Sequence, residues 1–217
     1  MDQNELDQQS QHWEKNFSNK PEMFGLEPSI SAKKALNFLK EKKINNIIEL
    51  GAGLGRDSIF FAKNNIKIQA LDYSSSGIKI INDKIKKDNL SNYISTKLFD
   101  VREKLPFQDN SVDACYSHML YCMALTIADL QKLNNEIHRI LKPNGLNIYT
   151  VRHTNDGDYK NGKHIGEDLY ENDGFIVHYF SEEKVNSLLN GFKNIALEKF
   201  EEGTFPRKLF FIVNEKK

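Results

Sequence analysis

Glu49, Gly51, Gly53, Gly55 and Asp72 are the residues of this chain whose types and spacing are best matched to one piece of chemistry. Three glycines at alternate positions let the backbone turn sharply and let a ligand press against main-chain N–H groups, which a Cβ would prevent. The apolar run before them and the helical spacing after them make strand, turn and helix follow in direct succession, the first βα unit of an open α/β sheet. Asp72 ends the next apolar run, about 20 residues beyond Gly51, where an acid can bind the two hydroxyls of an adenosine ribose. The dinucleotide fingerprint G-x-G-x-x-G needs its third glycine one position later than Gly55, so a nicotinamide cofactor is disfavoured. His118, His153 and His164 are the histidines placed to act as a base near neutral pH, and each also reads as an ordinary hydrogen-bonded histidine. Arg152 and Arg207 can grip an anion through two parallel hydrogen bonds, with surface salt bridging as the alternative.

Alternating strands and helices must position these residues. Ile47–Leu50 is the first strand and Arg56 to about Asn64 the first crossover helix. Ile66–Leu71 is the second strand, and a second helix over Gly77–Lys87 puts Ile78, Ile81 and Ile85 on one face. Ile94–Phe99 and Val112–Ser117 read as strands three and four. Thr126 and Asp129 form a capping-box-like start to a helix with an apolar stripe at Leu130, Leu133, Ile137, Ile140 and Leu141, stopped by Lys142-Pro143-Asn144-Gly145. Leu146–Val151 is the fifth strand. The polar segment Arg152–Tyr170 leaves its carboxyl end, the edge of such a sheet where substrates bind. Phe175–Phe180 is a short extended piece, and Ser181 opens a helix carrying Val185, Leu188 and Leu189. Ile195–Phe200 and Leu209–Val213 are joined by a loop short enough for an antiparallel closing pair. Ahead of all this, Trp13, Phe17, Met23 and Phe24 are too sparse for a core of their own, so their segment docks elsewhere. Ser29 or Ser31 caps a helix whose buried face is Ala32, Ala35, Leu36 and Leu39. The expected class is a doubly wound α/β sheet, mostly parallel, with helices on both faces and one antiparallel strand. Residues 1–46 are a helical leading segment and residues 47–217 the main domain.

With Glu49-x-Gly51-x-Gly53-x-Gly55 and Asp72 in place, the sequence resembles the class I S-adenosylmethionine-dependent methyltransferases, above all small stand-alone ones of the tellurite-resistance and thiopurine type. Leu105-Pro106-Phe107 with Val112-Asp113, and Leu141-Lys142-Pro143-x-Gly145, extend the likeness from Ile47 to about Val151. The resemblance implies a seven-stranded Rossmann-like sheet, S-adenosylmethionine as methyl donor with S-adenosylhomocysteine as product, and a lid over the pocket from the leading segment. It places Glu49, Gly51, Ala52, Gly53, Gly55, Asp57, Asp72, Tyr73, Ser74, Asp100, Val101 and Ser117 at the cofactor, with Asp100 toward the adenine amino group. Tyr121, Arg152, His164 and Arg207 then fall to the acceptor, and His118 and His153 to catalysis. The Pro-Pro-Tyr/Phe and Pro-Cys motifs of nucleic-acid base methyltransferases are absent: Ser117-His118-Met119-Leu120-Tyr121 stands there. A non-catalytic protein that binds the same cofactor, or less readily a nicotinamide-dependent oxidoreductase, is the alternative.

Lysine and arginine number 30 and aspartate and glutamate 30, which gives no excess of positive charge to hold a nucleic acid or an anionic membrane. Cys115 and Cys122 lack metal-ligand spacing and are expected as buried thiols, and no metal is expected. No apolar run approaches the ~20 residues of a membrane span. These features point to a cytoplasmic monomer or homodimer acting on a small molecule.

Overall fold

The computed structural model describes residues 6–203 and 207–217, so the first five residues and the middle of the closing loop lie outside the account below. Helix α1 spans Gln9–Asn19 and α2 Ile30–Glu41. Strand β1 (Asn46–Leu50), α3 (Arg56–Lys63), β2 (Lys67–Asp72), α4 (Ser75–Lys87) and β3 (Ile94–Leu98) follow in βα alternation. Then come β4 (Val112–Ser117), a 3-10 turn at Leu120–Cys122, α5 (Ile127–Ile140) and β5 (Leu141–His153). The chain closes with β6 (Lys163–Gly166), β7 (Leu169–Asn172), β8 (Phe175–Phe180), α6 (Glu182–Ser187), β9 (Phe192–Glu202) and β10 (Arg207–Lys216).

Local chemistry sets the helix starts. Ser29, Ser74 and Ser181 each accept a hydrogen bond from a first-turn backbone N–H. Thr126 and Asp129 satisfy one another's backbone groups reciprocally, as a capping box requires.

The sheet runs β3-β2-β1-β4-β5 in parallel, then β10 and β9, with β10 antiparallel to both of its neighbours. This is the mixed sheet expected, and its antiparallel closure departs from the all-parallel continuation of a dehydrogenase domain. Alternate residues of each strand serve two cores. Ile47, Ile68, Ala114 and Ile148 face α2, α3 and α4, while Leu50, Leu71, Tyr149 and Val151 face α5.

Two features lay beyond the sequence reading. The closing strands run Phe192–Glu202 and Arg207–Lys216, past Ile195–Phe200 and Leu209–Val213 at both ends. The polar segment after β5 is a hairpin, β6 with β7, that continues antiparallel into β8, which returns parallel to β5 through Arg152–Tyr179 and His153–Phe180. Its burial follows no two-residue alternation, two exposed then two half-buried residues in β6 and a buried Leu169 followed by half-buried and exposed residues in β7, so no apolar periodicity marks it as a strand pair.

The glycine turn shows why two of its positions exclude a side chain. Gly51 and Gly55 have φ of +70° and +76°, and an added Cβ would stand 3.0 Å from Leu120 Cδ1 and 2.6 Å from Ile81 Cγ1. Gly55→Ala therefore combines a left-handed backbone with overpacking against α4 and is expected to destabilise the fold by about 2–4 kcal/mol. Urea unfolding measures this, and a loss below 1 kcal/mol would show that α4 moves aside at little cost.

Candidate active site

The carboxyl ends of β1 to β4 meet at one edge of the sheet. The glycine turn leaves β1, and Gly51 and Ala52 donate their N–H groups to Leu71 O at 2.9 and 3.1 Å. Asp72, the last residue of β2, accepts from Gly53 N at 2.7 Å and from Ser74 N at 2.8 Å. One carboxylate thus ties the turn after β1 to the turn after β2. Glu49 is buried beneath the same turn and accepts from Ser58 Oγ.

Neither carboxylate has a cation within ion-pair distance among the described residues, and Arg56 reaches only within 3.9 Å of Asp57. Burial, with the charges of Asp57 and Asp72, holds the Glu49 carboxyl well above its ordinary range. Burial also raises Asp72 to about 6 against the two amide hydrogen bonds, and the Glu14 charge adds to the rise. Ser117 Oγ, at the end of β4, is buried without a hydrogen-bond partner in the protein. Buried carboxylates without countercharges, backed by a glycine turn and an orphaned hydroxyl, suit a ligand with positive charge and hydroxyl donors.

The cleft beyond this turn is lined on one side by Tyr73, Asp100 and Val101 and on the other by Leu6, Trp13 and Leu120. Asp100 is held by Arg102, whose Nη2 donates to it at 2.7 Å, and Arg102 also pairs with Asp7.

Residues 48–149 match the family model described as a methyltransferase domain. Over these residues the chain is similar to that methyltransferase family. The chain is 35% identical over 127 residues to phosphoethanolamine N-methyltransferase 1 of Triticum aestivum, covering 58% of this chain and 22% of that protein. It is 29% identical over 118 residues to sterol 4-C-methyltransferase strm-1 of Caenorhabditis elegans, covering 54% of this chain and 34% of that one. The chain thus spans about a third or less of either relative. Among solved structures, a SAM-dependent methyltransferase from Methanosarcina mazei superposes with a TM-score of 0.72 at 20% identity, over 84% of this chain and 96% of the other.

The residues expected at the cofactor gather at this edge of the sheet with one exception. Asp57 points away from the turn into a buried network, where it accepts from Ser29 N (2.8 Å), Ser29 Oγ (2.7 Å) and Tyr116 OH (2.8 Å). Position in the motif could not distinguish a ligand contact from this structural one.

The expected acceptor residues are not brought together. Tyr121 is fully buried, stacked on Tyr149 with ring centroids 4.2 Å apart, and its hydroxyl donates to Asn134 Oδ1 at 2.6 Å. Arg152 is buried and bonded to Asp156 and Asp158, with Tyr179 under its guanidinium, so its charge is already paired within the protein. His164 sits on the exposed hairpin against Tyr170, and Arg207 is exposed at the start of β10.

The histidines divide as well. His118, directly after β4, is engaged on both ring nitrogens: Nδ1 meets Ser31 Oγ at 2.8 Å and Thr150 Oγ1 at 3.0 Å, and Nε2 stands 3.2 Å from Glu202 Oε2. Burial would raise Glu202, but His118 and the Ile30 amide hold it down at about 2. His153 lines a separate polar cleft with Ser181, Glu182 and Lys199.

Two groups escaped the sequence reading. Glu202 lies some eighty residues from its histidine and belongs to a strand read only to Phe200. Glu14 lies in a helix without apolar periodicity and binds the serine run that opens α4.

Glu49 offers a direct test of the buried charge. Its carboxyl has a native pKa above the unfolded value, so the native state binds the extra proton and stability falls as pH rises between the two. Glu49→Gln keeps an acceptor for Ser58 without that penalty. The melting temperature of the variant relative to the parent is expected to rise from pH 5 to pH 8, and a difference independent of pH would mean that Glu49 titrates normally.

Proposed function

We propose that this chain transfers the methyl group of S-adenosylmethionine to a small-molecule acceptor. The observation that carries the reading is the placement of Glu49 and Asp72, buried and without countercharges, on either side of the glycine turn at the carboxyl ends of β1 and β2. Asp72 would accept hydrogen bonds from the ribose hydroxyls, with Tyr73 and Ser74 beside it. Asp100 and Val101 would flank the adenine. The turn from Gly51 to Gly55, Glu49 and Ser117 would receive the amino-acid end, whose ammonium and sulfonium charges suit the local excess of carboxylate.

The cofactor supplies an activated methyl on a sulfonium, so transfer makes a bond from the acceptor to that carbon as the carbon–sulfur bond breaks, leaving a neutral thioether. The chain's own contribution is to hold the acceptor in line and to keep water out. Leu6, Trp13, Leu120, Met123, Ala124 and Leu125 give the cleft apolar walls suited to this. Of the two histidines offered as bases, His118 has both ring nitrogens engaged by Ser31, Thr150 and Glu202, and His153 lines the separate cleft, so neither is assigned as the base.

The same reading has the protein work in the cytoplasm, as a monomer or homodimer, on a small molecule and not a nucleic acid. Zero net charge supports the last point. No helix among the described residues is long and apolar enough to cross a membrane.

Calorimetry with S-adenosylmethionine and S-adenosylhomocysteine, with NAD as control, is expected to show micromolar binding of the first two and none of NAD. Binding of NAD alone would overturn the assignment. Asp72→Asn removes charge-assisted hydrogen bonds worth about 1.5–3 kcal/mol and should weaken binding about 10- to 150-fold. The ionised carboxylate is the better acceptor, so parental affinity should fall as pH drops through about 6, whereas the variant should lack that inflection. A folded variant with parental affinity at pH 8 would displace the ribose from Asp72.

A further inference from the structure

We propose that the Arg56 guanidinium binds the carboxylate at the amino-acid end of the cofactor. The proposal deepens the cofactor reading above and rests on it. That reading finds partners for the ribose, the adenine, the ammonium and the sulfonium, and none for the carboxylate, which Glu49, Asp72 and Asp100 can only repel. The amides of the glycine turn are already engaged. Gly51 and Ala52 donate to Leu71 O, Gly53 to Asp72 and Gly55 to Ala52 O. A carboxylate at this turn therefore needs a cationic side chain.

Arg56 is the first residue of α3, directly after Gly55, and its side chain is 20% exposed. Its guanidinium lies beside the place given above to the amino-acid end. Nη1 donates to Phe24 O at 3.1 Å, and Phe24 packs on Phe17, whose ring stands 3.6 Å from the place a Cβ of Gly53 would take. Nη2 lies 3.9 Å from Glu202 Oε1, and Glu202 in turn reaches His118, the residue after Ser117. Arg56 thus spans from the turn after β1 toward the end of β4, where Ser117 Oγ is buried without a partner.

The guanidinium is also unfilled. Among the described residues, one of its five N–H donors makes a hydrogen bond, since 3.9 Å to Asp57 and to Glu202 exceeds hydrogen-bond reach. Arg102, Arg139 and Arg152 differ, each donating to two carboxylates. Lys84, the other cation that reaches the turn, donates to Leu54 O from α4. Glu202 keeps its bonds from His118 and the Ile30 amide whether or not Arg56 takes a further partner, so a ligand carboxylate displaces nothing.

Isothermal titration of the full chain with S-adenosylhomocysteine, and with the analogue that lacks only its carboxylate, separates this contact from the rest of the cofactor site. A guanidinium fork on a carboxylate makes charge-assisted hydrogen bonds, so the parent should bind S-adenosylhomocysteine about 10- to 150-fold more tightly than the analogue. Arg56→Gln should abolish that preference by weakening S-adenosylhomocysteine alone and leaving the analogue unchanged. Arg56→Lys keeps the charge without the fork and should fall between the two. Thermal melts show whether each variant is folded. A parent with equal affinity for both ligands overturns the proposal before any variant is made. So does a folded Arg56→Gln that keeps the parental preference, which puts the carboxylate elsewhere, or one that weakens both ligands equally, which makes Arg56 a support of the turn. A parent that binds neither ligand overturns the cofactor reading itself, and the role of Arg56 falls with it.

Discussion

Asp57 is the buried point on which the positions of three elements depend. It sits in the first turn of α3, 3% exposed, and receives the backbone N–H and hydroxyl of Ser29 from the start of α2 and the hydroxyl of Tyr116 from β4. Ser31 extends the set, lying 2.7 Å from Tyr116 OH and 2.8 Å from His118 Nδ1. A charge so deep in the fold is tolerable only because every direction around it is filled by a donor. The consequence is geometric. The glycine turn runs from β1 into α3, and α3 can neither rotate nor slide without leaving three donors unsatisfied. The preorganisation of the turn comes from beneath it.

Asp72 does the corresponding work above the turn. By accepting from Gly53 and Ser74 it fixes the loops after β1 and β2 relative to one another. The same residue therefore shapes the cleft and presents its charge to it. Glu49 makes the contrast plain, since its one hydroxyl partner leaves most of its acceptor capacity unused. Burying three carboxylates within one short stretch costs stability, and proteins retain such an arrangement where function requires it.

The parts of this molecule legible in the sequence are those with a local physical cause. Alternation of apolar runs located β1 to β5, Ser29 and the Thr126–Asp129 box marked their helices, and the three glycines with Asp72 marked the turns that leave β1 and β2. What failed had a distant cause. Tyr121 stands one turn beyond β4, as a substrate contact would, but Asn134 and Asn147 draw its hydroxyl into the core. Arg152 leaves β5 at the right edge, but the loop it opens carries its own carboxylates, Asp156 and Asp158. A side chain's type says which partner it can take. Which partner it meets is set by the tertiary fold, and polar residues in irregular segments have no period that betrays it.

The leading helix shows how a weakly patterned segment can still be tightly specified. Its eleven residues span roughly 16 Å, from Gln9, which bonds both Gly174 O and Ile176 N at the turn before β8, to Phe17 on the glycine turn. Glu14 lies between, on α4. One rigid rod thus touches the hairpin extension that leaves β5 and the loops that follow β1 and β2. A shift of α1 at either end must be felt at the other, because a helix of this length does not bend without a break in its hydrogen bonds, and α1 contains neither proline nor glycine. The two halves of the cleft are joined through a segment that belongs to neither. The aromatic cluster of Trp13, Phe17, Phe24 and Phe175 is where that coupling is packed.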